Sequence, residues 1–282
     1  MDRTAGSDRF HSRRSRRWGV KNALYDSDLT DTQWEFLRPM LPQPKKLGRP
    51  PTDRRLVLNA ILYVLKGGIP WRLLPTTYPP WKTIHHIFRA WTLDQTWAAL
   101  NDALRTCVRL EEGRREQPTA AILDSQSVKS DGHGGEVGYD AGKRIKGRKR
   151  HVLVDTLGLW LGVRVTPASC PERDGAQKVL SQVAGWFTGL RKLWVDGGYT
   201  GETFAHWVKE HCPKLEVEVV KRSDDVQGFA VLPKRWMVER TFAWLMRHRR
   251  LVRDYERTES SAEAWIHLAM IRIQLRRLAP SV

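Results

Sequence analysis

Cysteine is scarce in this chain, with only Cys107, Cys170 and Cys212 in 282 residues. An odd number so widely spaced supports neither a disulfide framework nor a zinc cluster, and it fits a reducing compartment. Long apolar runs are also missing. No stretch approaches the ~18 continuous apolar residues of a membrane span, and the arginine-rich N-terminus lacks the apolar segment of a signal peptide. The expectation is therefore a cytoplasmic protein with no membrane partner. Acidic residues are in short supply as well: 31 Asp plus Glu stand against 48 Lys plus Arg, for a formal charge of +17. That imbalance favours a polyanionic partner, because each phosphate met by a cation releases condensed counterions. Mere solubility, a ribosomal role or a membrane surface would also account for charge taken alone.

What the chain does contain is enough for a folded interior. Hydrophobic residues make up 41% and tryptophan occurs 13 times, so global disorder is excluded. The length suits two domains. Residues 1–23 hold seven Lys or Arg and no apolar period, the pattern of a disordered basic tail. From residue 24 to 112 the apolar spacing is helical. Thr30 and Gln33 read as a capping box ahead of Trp34, Leu37 and Leu41, and residues 42–51 break that helix at both ends with proline. A second helix runs over about 53–66, with Leu56, Ala60 and Val64 aligned, and stops at Gly67 and Gly68. A third follows Pro79 and Pro80, burying Ile84, Ile87, Phe88 and Trp91 and turning Lys82, His85, His86 and Arg89 outward. A fourth carries Trp97, Leu100, Leu104 and Val108. The outline is helix-turn-helix-like, and Lys82, His85 and Arg89 are its candidate DNA contacts, although many small helical domains share the pattern.

After residue 117 the texture changes. Short apolar runs at 120–123, 152–154, 159–165, 193–195 and 217–220 read as strands. The first three follow one another as an antiparallel meander, while helical patterns over 174–187 and 202–211 separate the rest. Two helices close the chain, one over about 236–250 and one opened by a Ser260–Glu263 capping box. The fold class is α/β: a mixed-sheet domain over 118–282 behind an N-terminal helical domain.

Three carboxylates stand out. Asp124 ends the run Ala121-Ile122-Leu123, and Asp196 ends Leu193-Trp194-Val195; small residues follow each. Neighbouring strands would bring the two anions together, which requires a cation between them, and an all-oxygen site suits Mg²⁺. Asp also follows strands as a turn residue or helix cap, and Asp155, ahead of Thr156-Leu157-Gly158, is read as such a turn. Glu239 is the one acidic residue within a strongly basic helix that includes Arg235, Arg240 and Arg247. It shares a face with Phe242, Ala243 and Met246, so it is expected to point into the protein. Neutralising Arg235 or Arg240 is its alternative role. Lys143, Arg144, Lys146, Arg148, Lys149 and Arg150 place six cations in eight residues, either a grip on a phosphate backbone or a solvated loop. Asp174 reads as a helix cap.

The strings Ile122-Leu123-Asp124-Ser125-Gln126-Ser127, Trp194-Val195-Asp196-Gly197-Gly198-Tyr199 and Trp236-Met237-Val238-Glu239-Arg240-Thr241-Phe242-Ala243-Trp244-Leu245 resemble the DDE transposases of bacterial insertion sequences, specifically insertion sequence family five. Asp196 follows Asp124 by 72 residues and Glu239 follows Asp196 by 43, which agrees with that family. So do Leu29-Thr30-Asp31-Thr32-Gln33-Trp34 and Gly68-Ile69-Pro70-Trp71-Arg72-Leu73-Leu74-Pro75. The resemblance covers 29–278. It implies a ribonuclease-H-like core with Asp124, Asp196 and Glu239 as catalytic and metal-binding residues. It also implies two Mg²⁺ or Mn²⁺ ions, ~3.5–4 Å apart as in other two-metal sites. One ion would activate water or a DNA 3′ hydroxyl and the other would stabilise the leaving oxygen. The partner implied is double-stranded DNA, both the element's terminal inverted repeats and the target, handled by a homodimer or larger assembly in the bacterial nucleoid. Arg235 matches the family's Arg four residues before the Glu; Leu232 and Met246 replace a Tyr and a Lys of related enzymes, with Arg247 beside the second position. Two rival readings are a transposase-derived repressor that binds without cutting, and a nuclease on the same fold that cuts without joining.

Overall fold

The computed structural model describes residues 24–42, 51–132, 135–220 and 234–280, so the basic stretch 1–23 lies outside the described residues. Helix α1 (Asp31–Leu37) starts at the expected capping box, with Gln33 N–H donating to Thr30 Oγ1 at 3.2 Å and Thr30 N–H donating to Gln33 Oε1 at 3.3 Å. In α2 (Arg54–Gly67), Asp53 caps the first turn and Gly68, at φ +70°, takes the left-handed conformation that ends it. Helices α3 (Trp81–Leu93) and α4 (Thr96–Glu111) follow, and Ile84, Phe88, Trp91, Trp97, Leu100, Leu104 and Val108 are all buried.

The sheet has strands β1 (Ala120–Lys129), β2 (Gly138–Asp140), β3 (Ile145–Asp155), β4 (Trp160–Pro167), β5 (Lys192–Val195) and β6 (Glu216–Val219). β1, β3 and β4 form the expected antiparallel meander, β2 lies along the start of β3, and β5 and β6 add in parallel beyond β1. β1 and β3 run well past their apolar runs. Residues 124–129 stay in the sheet because each has a backbone partner between Gly147 and Val152. Pairing outlasts the hydrophobic pattern here.

Helices α5 (Glu172–Val183) and α6 (Glu202–His211) connect the later strands, and α7 (Trp236–Met246), α8 (Arg249–Val252) and α9 (Glu259–Leu278) close the chain. The expected single helix over 236–250 is broken at His248, whose backbone is extended at φ −102° and ψ 113°. The cap of α9 is Thr258, not Ser260. Glu263, expected to complete a capping box, instead accepts the Val165 N–H at 3.0 Å and pairs with Arg164 across β4. Asp174 likewise sits inside the first turn of α5 and caps nothing.

Period-two alternation divides the sheet between two cores. Ala121, Leu123, Leu193 and Val195 face α5 and α6, whereas Ile122, Val152, Val154 and Trp194 face the cluster formed with α2, α3, α4 and α9. The N-terminal helices and the sheet thus share an interior, and α9 links them: Arg272 donates to the carbonyls of Ser27 and Asp26. Asp155 is fully buried, accepting the N–H groups of Leu157 and Leu159 and pairing with Arg109 of α4, which makes it structural as expected. Among the described residues, no helix is long and apolar enough to cross a membrane.

Candidate active site

β1 and β5 are paired from Ala120 opposite Lys192 to Ile122 opposite Trp194 and then part, because β5 ends at Val195 while β1 continues. The opening between them receives two carboxylates. Asp124 stands within β1, not at its end, and Asp196 caps the turn after β5, accepting the Gly198 N–H at 2.8 Å. Period two puts both on the face of the sheet that α7 covers. There the Arg235 guanidinium bridges them, with one nitrogen 3.5 Å from Asp124 Oδ2 and 3.5 Å from Asp196 Oδ2.

The bridge is sheltered: the Asp124 and Arg235 side chains are each 14% exposed. Burial pushes the Asp124 carboxyl up to about 6, with Asp196 adding to the rise, against the opposing pull of the Ser125 N–H and Arg235. Two carboxylates held to one cation, Asp124 sheltered and Asp196 28% exposed, are stabilised by positive charge nearby. Oxygen donors alone suit Mg²⁺ or Mn²⁺. As the side chains stand, no three His, Cys, Asp or Glu groups among the described residues are grouped to hold a metal ion, and the positive charge beside the two aspartates is that of Arg235.

Glu239 does not point inward as expected. The buried stripe of α7 is Val238, Thr241, Phe242 and Leu245, which leaves Glu239 exposed together with Ala243. Many residues of this helix are large and apolar, and Trp236, which is 40% exposed, shows that the buried stripe is not centred where its aromatics suggest. Glu239 nevertheless lies one turn beyond Arg235 and on the same side of the helix as that bridge.

Glu172 is the acidic residue that sequence reasoning passed over. At the first position of α5 it approaches the opening from the face opposite Asp124, accepting from Ser125 Oγ at 2.9 Å and pairing with Lys143 Nζ at 3.4 Å. A methyl group at Gly198 would stand 2.3 Å from Glu172 Oε2 and 3.1 Å from Asp196 Oδ1. Glycine leaves room for this approach, and a methyl group there would push the Glu172 carboxylate aside. Nothing local in the sequence marks Glu172, which resembles any acid in a first helical turn.

The cationic candidates divide. Lys143, Arg144 and Lys146 are exposed around the β2–β3 turn. Arg148, Lys149 and Arg150 are not a phosphate-facing loop: they are buried in β3. Arg148, 1% exposed, pairs with Asp254 and donates to the carbonyls of Glu136, Glu256 and Arg257. Lys149 pairs with Asp140 and donates to the Cys170 carbonyl, and Arg150 reaches Gln126. In α3, Lys82 and Arg89 are exposed, but His85 is half-buried, its ring edge-on to Trp71 at 5.3 Å because residues 71–73 fold over the helix. Arg240 is stacked between Trp236 and Trp244, 4.5 Å from each ring, and Arg247 is exposed beside Lys66 and Arg276 in a basic hollow of about 260 Å³.

Comparison with known proteins adds an independent line. The family model for the transposase DDE domain matches residues 115–274, and one for transposases of the IS4/5 family matches residues 29–101. A 16.2 kDa protein of insertion element IS402 from Burkholderia cepacia is 31% identical over 117 residues, which covers 39% of this chain and 78% of that protein. A DDE domain implies a ribonuclease-H-like core, and the mixed sheet with its antiparallel meander has that form.

Proposed function

This chain belongs to the DDE transposase family, enzymes that cut and transfer DNA strands with divalent metal, and on that premise we propose that Asp124, Asp196 and Glu239 are its catalytic acidic residues. The observation that carries this reading is the Arg235 bridge, a single cation set 3.5 Å from both aspartates at the opening between β1 and β5. The carboxylate pair fits a hard divalent ion in charge and donor type. Asp124, Asp196 and Glu239 would hold two Mg²⁺ or Mn²⁺ ions, which when bound supply Lewis-acid charge to the scissile phosphate.

The remaining roles belong to the chain itself. Sheet pairing fixes Asp124, and the Gly198 N–H fixes Asp196, so both carboxylates are preorganised. Glu239 on α7 would come to the pair as Arg235 withdraws toward a DNA phosphate, which a guanidinium contacts through paired N–H groups. Lys143, Arg144 and Lys146 at one side, and Arg247 at the far end of α7, would track the backbone. The helical region 24–112, with Lys82 and Arg89 outward, would read the terminal inverted repeats, and the region 118–282 would do the chemistry. Holding two ends calls for at least a dimer on DNA, in the nucleoid-bearing cytoplasm.

The test is a reaction of the full chain with a DNA carrying the element's ends, with Mg²⁺ and with chelator. Metal-dependent nicking followed by a strand-transfer product is expected. A mobility shift without any cut would favour a repressor, and cutting without joining would favour a nuclease.

A further inference from the structure

Glu172 is tied to both aspartates through their chain neighbours. Ser125 gives its N–H to Asp124 Oδ1 at 2.7 Å and its hydroxyl to Glu172 Oε1 at 2.9 Å. Gly198 gives its N–H to Asp196 Oδ1 at 2.8 Å, and its missing side chain leaves room for Glu172 Oε2. Three carboxylates, from β1, the turn after β5 and the start of α5, therefore border one opening, Asp124 from one face of the sheet and Glu172 from the other. Two cations are set against them, Arg235 on the aspartates and Lys143 on Glu172.

A second feature points to an occupant. Tyr199, 2% exposed, has its hydroxyl held protonated well above the usual range by burial first, and then by the field of Asp124, Glu172 and Asp196. That hydroxyl is beside Ser125, near enough to interact with it, yet it completes no well-aligned hydrogen bond among the described residues. A buried hydroxyl so loosely satisfied at a polar opening suits a water or an ion's hydration shell.

We propose that Glu172 is a further acidic residue of the metal site, closing the cation-binding space of Asp124 and Asp196 from the α5 side and handed from Lys143 to a divalent ion when the site fills. The proposal rests on the reading of the two aspartates as metal-binding residues. Lys143, released from Glu172, then stands at the exposed β2–β3 turn with its charge available to a DNA phosphate.

Direct Mn²⁺ binding to the full chain without DNA, followed by calorimetry or by the loss of the free-ion electron paramagnetic signal, tests this apart from catalysis. Glu172→Gln keeps an acceptor for Ser125 and removes the charge; Mn²⁺ binding is expected to weaken tenfold or more. Glu172→Asp, with a carboxylate on a shorter stem, should recover part of the loss, and Lys143→Gln should bind Mn²⁺ at least as tightly as the parent. Unchanged melting temperature in chelator shows that each variant is folded. If Glu172→Gln binds Mn²⁺ like the parent while Asp124→Asn does not, Glu172 is outside the site and the aspartate reading survives. If Asp124→Asn also binds Mn²⁺ normally, the aspartate reading fails and takes this proposal with it.

Discussion

Asp124 and Asp196, 72 positions apart in the chain, present their Oδ2 atoms at the same 3.5 Å from one nitrogen of Arg235. The guanidinium offsets a repulsion that the fold itself creates by ending β5 beside a continuing β1. It is a charge arrangement suited to exchange, since a divalent ion offers more positive charge in the same place.

Arg235→Gln removes that offset. In chelator the variant should lose about 1–2 kcal/mol of stability, between the values for exposed and fully buried pairs. Mg²⁺ should restore more stability to the variant than to the parent. Thermal melts with and without the ion check this, and equal shifts would count against the exchange.

Gly198→Ala introduces a methyl group 2.3 Å from Glu172 Oε2 and 3.1 Å from Asp196 Oδ1. Glu172 Oε2 is the end of a flexible side chain that can swing aside, so the chain should stay folded at little cost in stability. The carboxylates must then move apart, and metal-dependent cleavage should fall tenfold or more while DNA binding in chelator is retained. Single-turnover cleavage beside a mobility-shift titration measures both.

The exposed and the buried cations of residues 143–150 should separate in a salt titration of DNA binding. Arg144→Gln and Lys146→Gln should each lower the slope of log K against log salt by about 0.9, one phosphate contact, with stability unchanged. Arg148→Gln breaks a buried pair with Asp254 and should cost about 3–5 kcal/mol of stability instead. An Arg148 variant that melts normally but binds DNA with a lower slope would reverse this assignment.

Acid should destabilise the protein through histidines held neutral by burial, His267, lowered to about 4, among them. Burial, aided by Lys149, lowers His151 to about 3, and burial, aided by Arg272 and Lys66, lowers His248 to about 4. Both values are below the unfolded 6.5, so the unfolded chain takes up protons first as pH falls. Their stabilising contribution is complete above 6.5 and declines below it, at about 1.4 kcal/mol per pH unit for each histidine. Urea unfolding at pH 7, 6 and 5 should show that decline, and His248→Asn should remove about one proton's worth of slope.

Much of this architecture was legible where local chemistry decides structure. The capping box at Thr30 and Gln33, the stop at Gly68, the start after Pro80 and the apolar runs of β1, β3, β4 and β5 all stand where their residues place them. Legibility ended where distant partners decide. Arg148, Lys149 and Arg150 read as a loop because their charge is visible locally, while Asp254, Cys170 and Gln126, which bury them, are not. Glu172 is separated from Ser125 by 47 positions, so no spacing rule could join them. The inward direction expected for Glu239 failed because four other residues of α7, from Val238 to Leu245, set the buried stripe. Asp124 and Asp196 were singled out because apolar runs and small neighbours are local signals, although Asp124 lies within β1 and not at its end.

The most direct measurement is single-turnover, Mg²⁺-dependent cleavage of end-bearing DNA by Asp124→Asn, Asp196→Asn and Glu239→Gln, each paired with a binding titration. All three should bind the DNA and leave it uncut. Cleavage at the parent rate by any one of them would remove that carboxylate from the catalytic set, and cleavage by both aspartate variants would contradict the account at its centre.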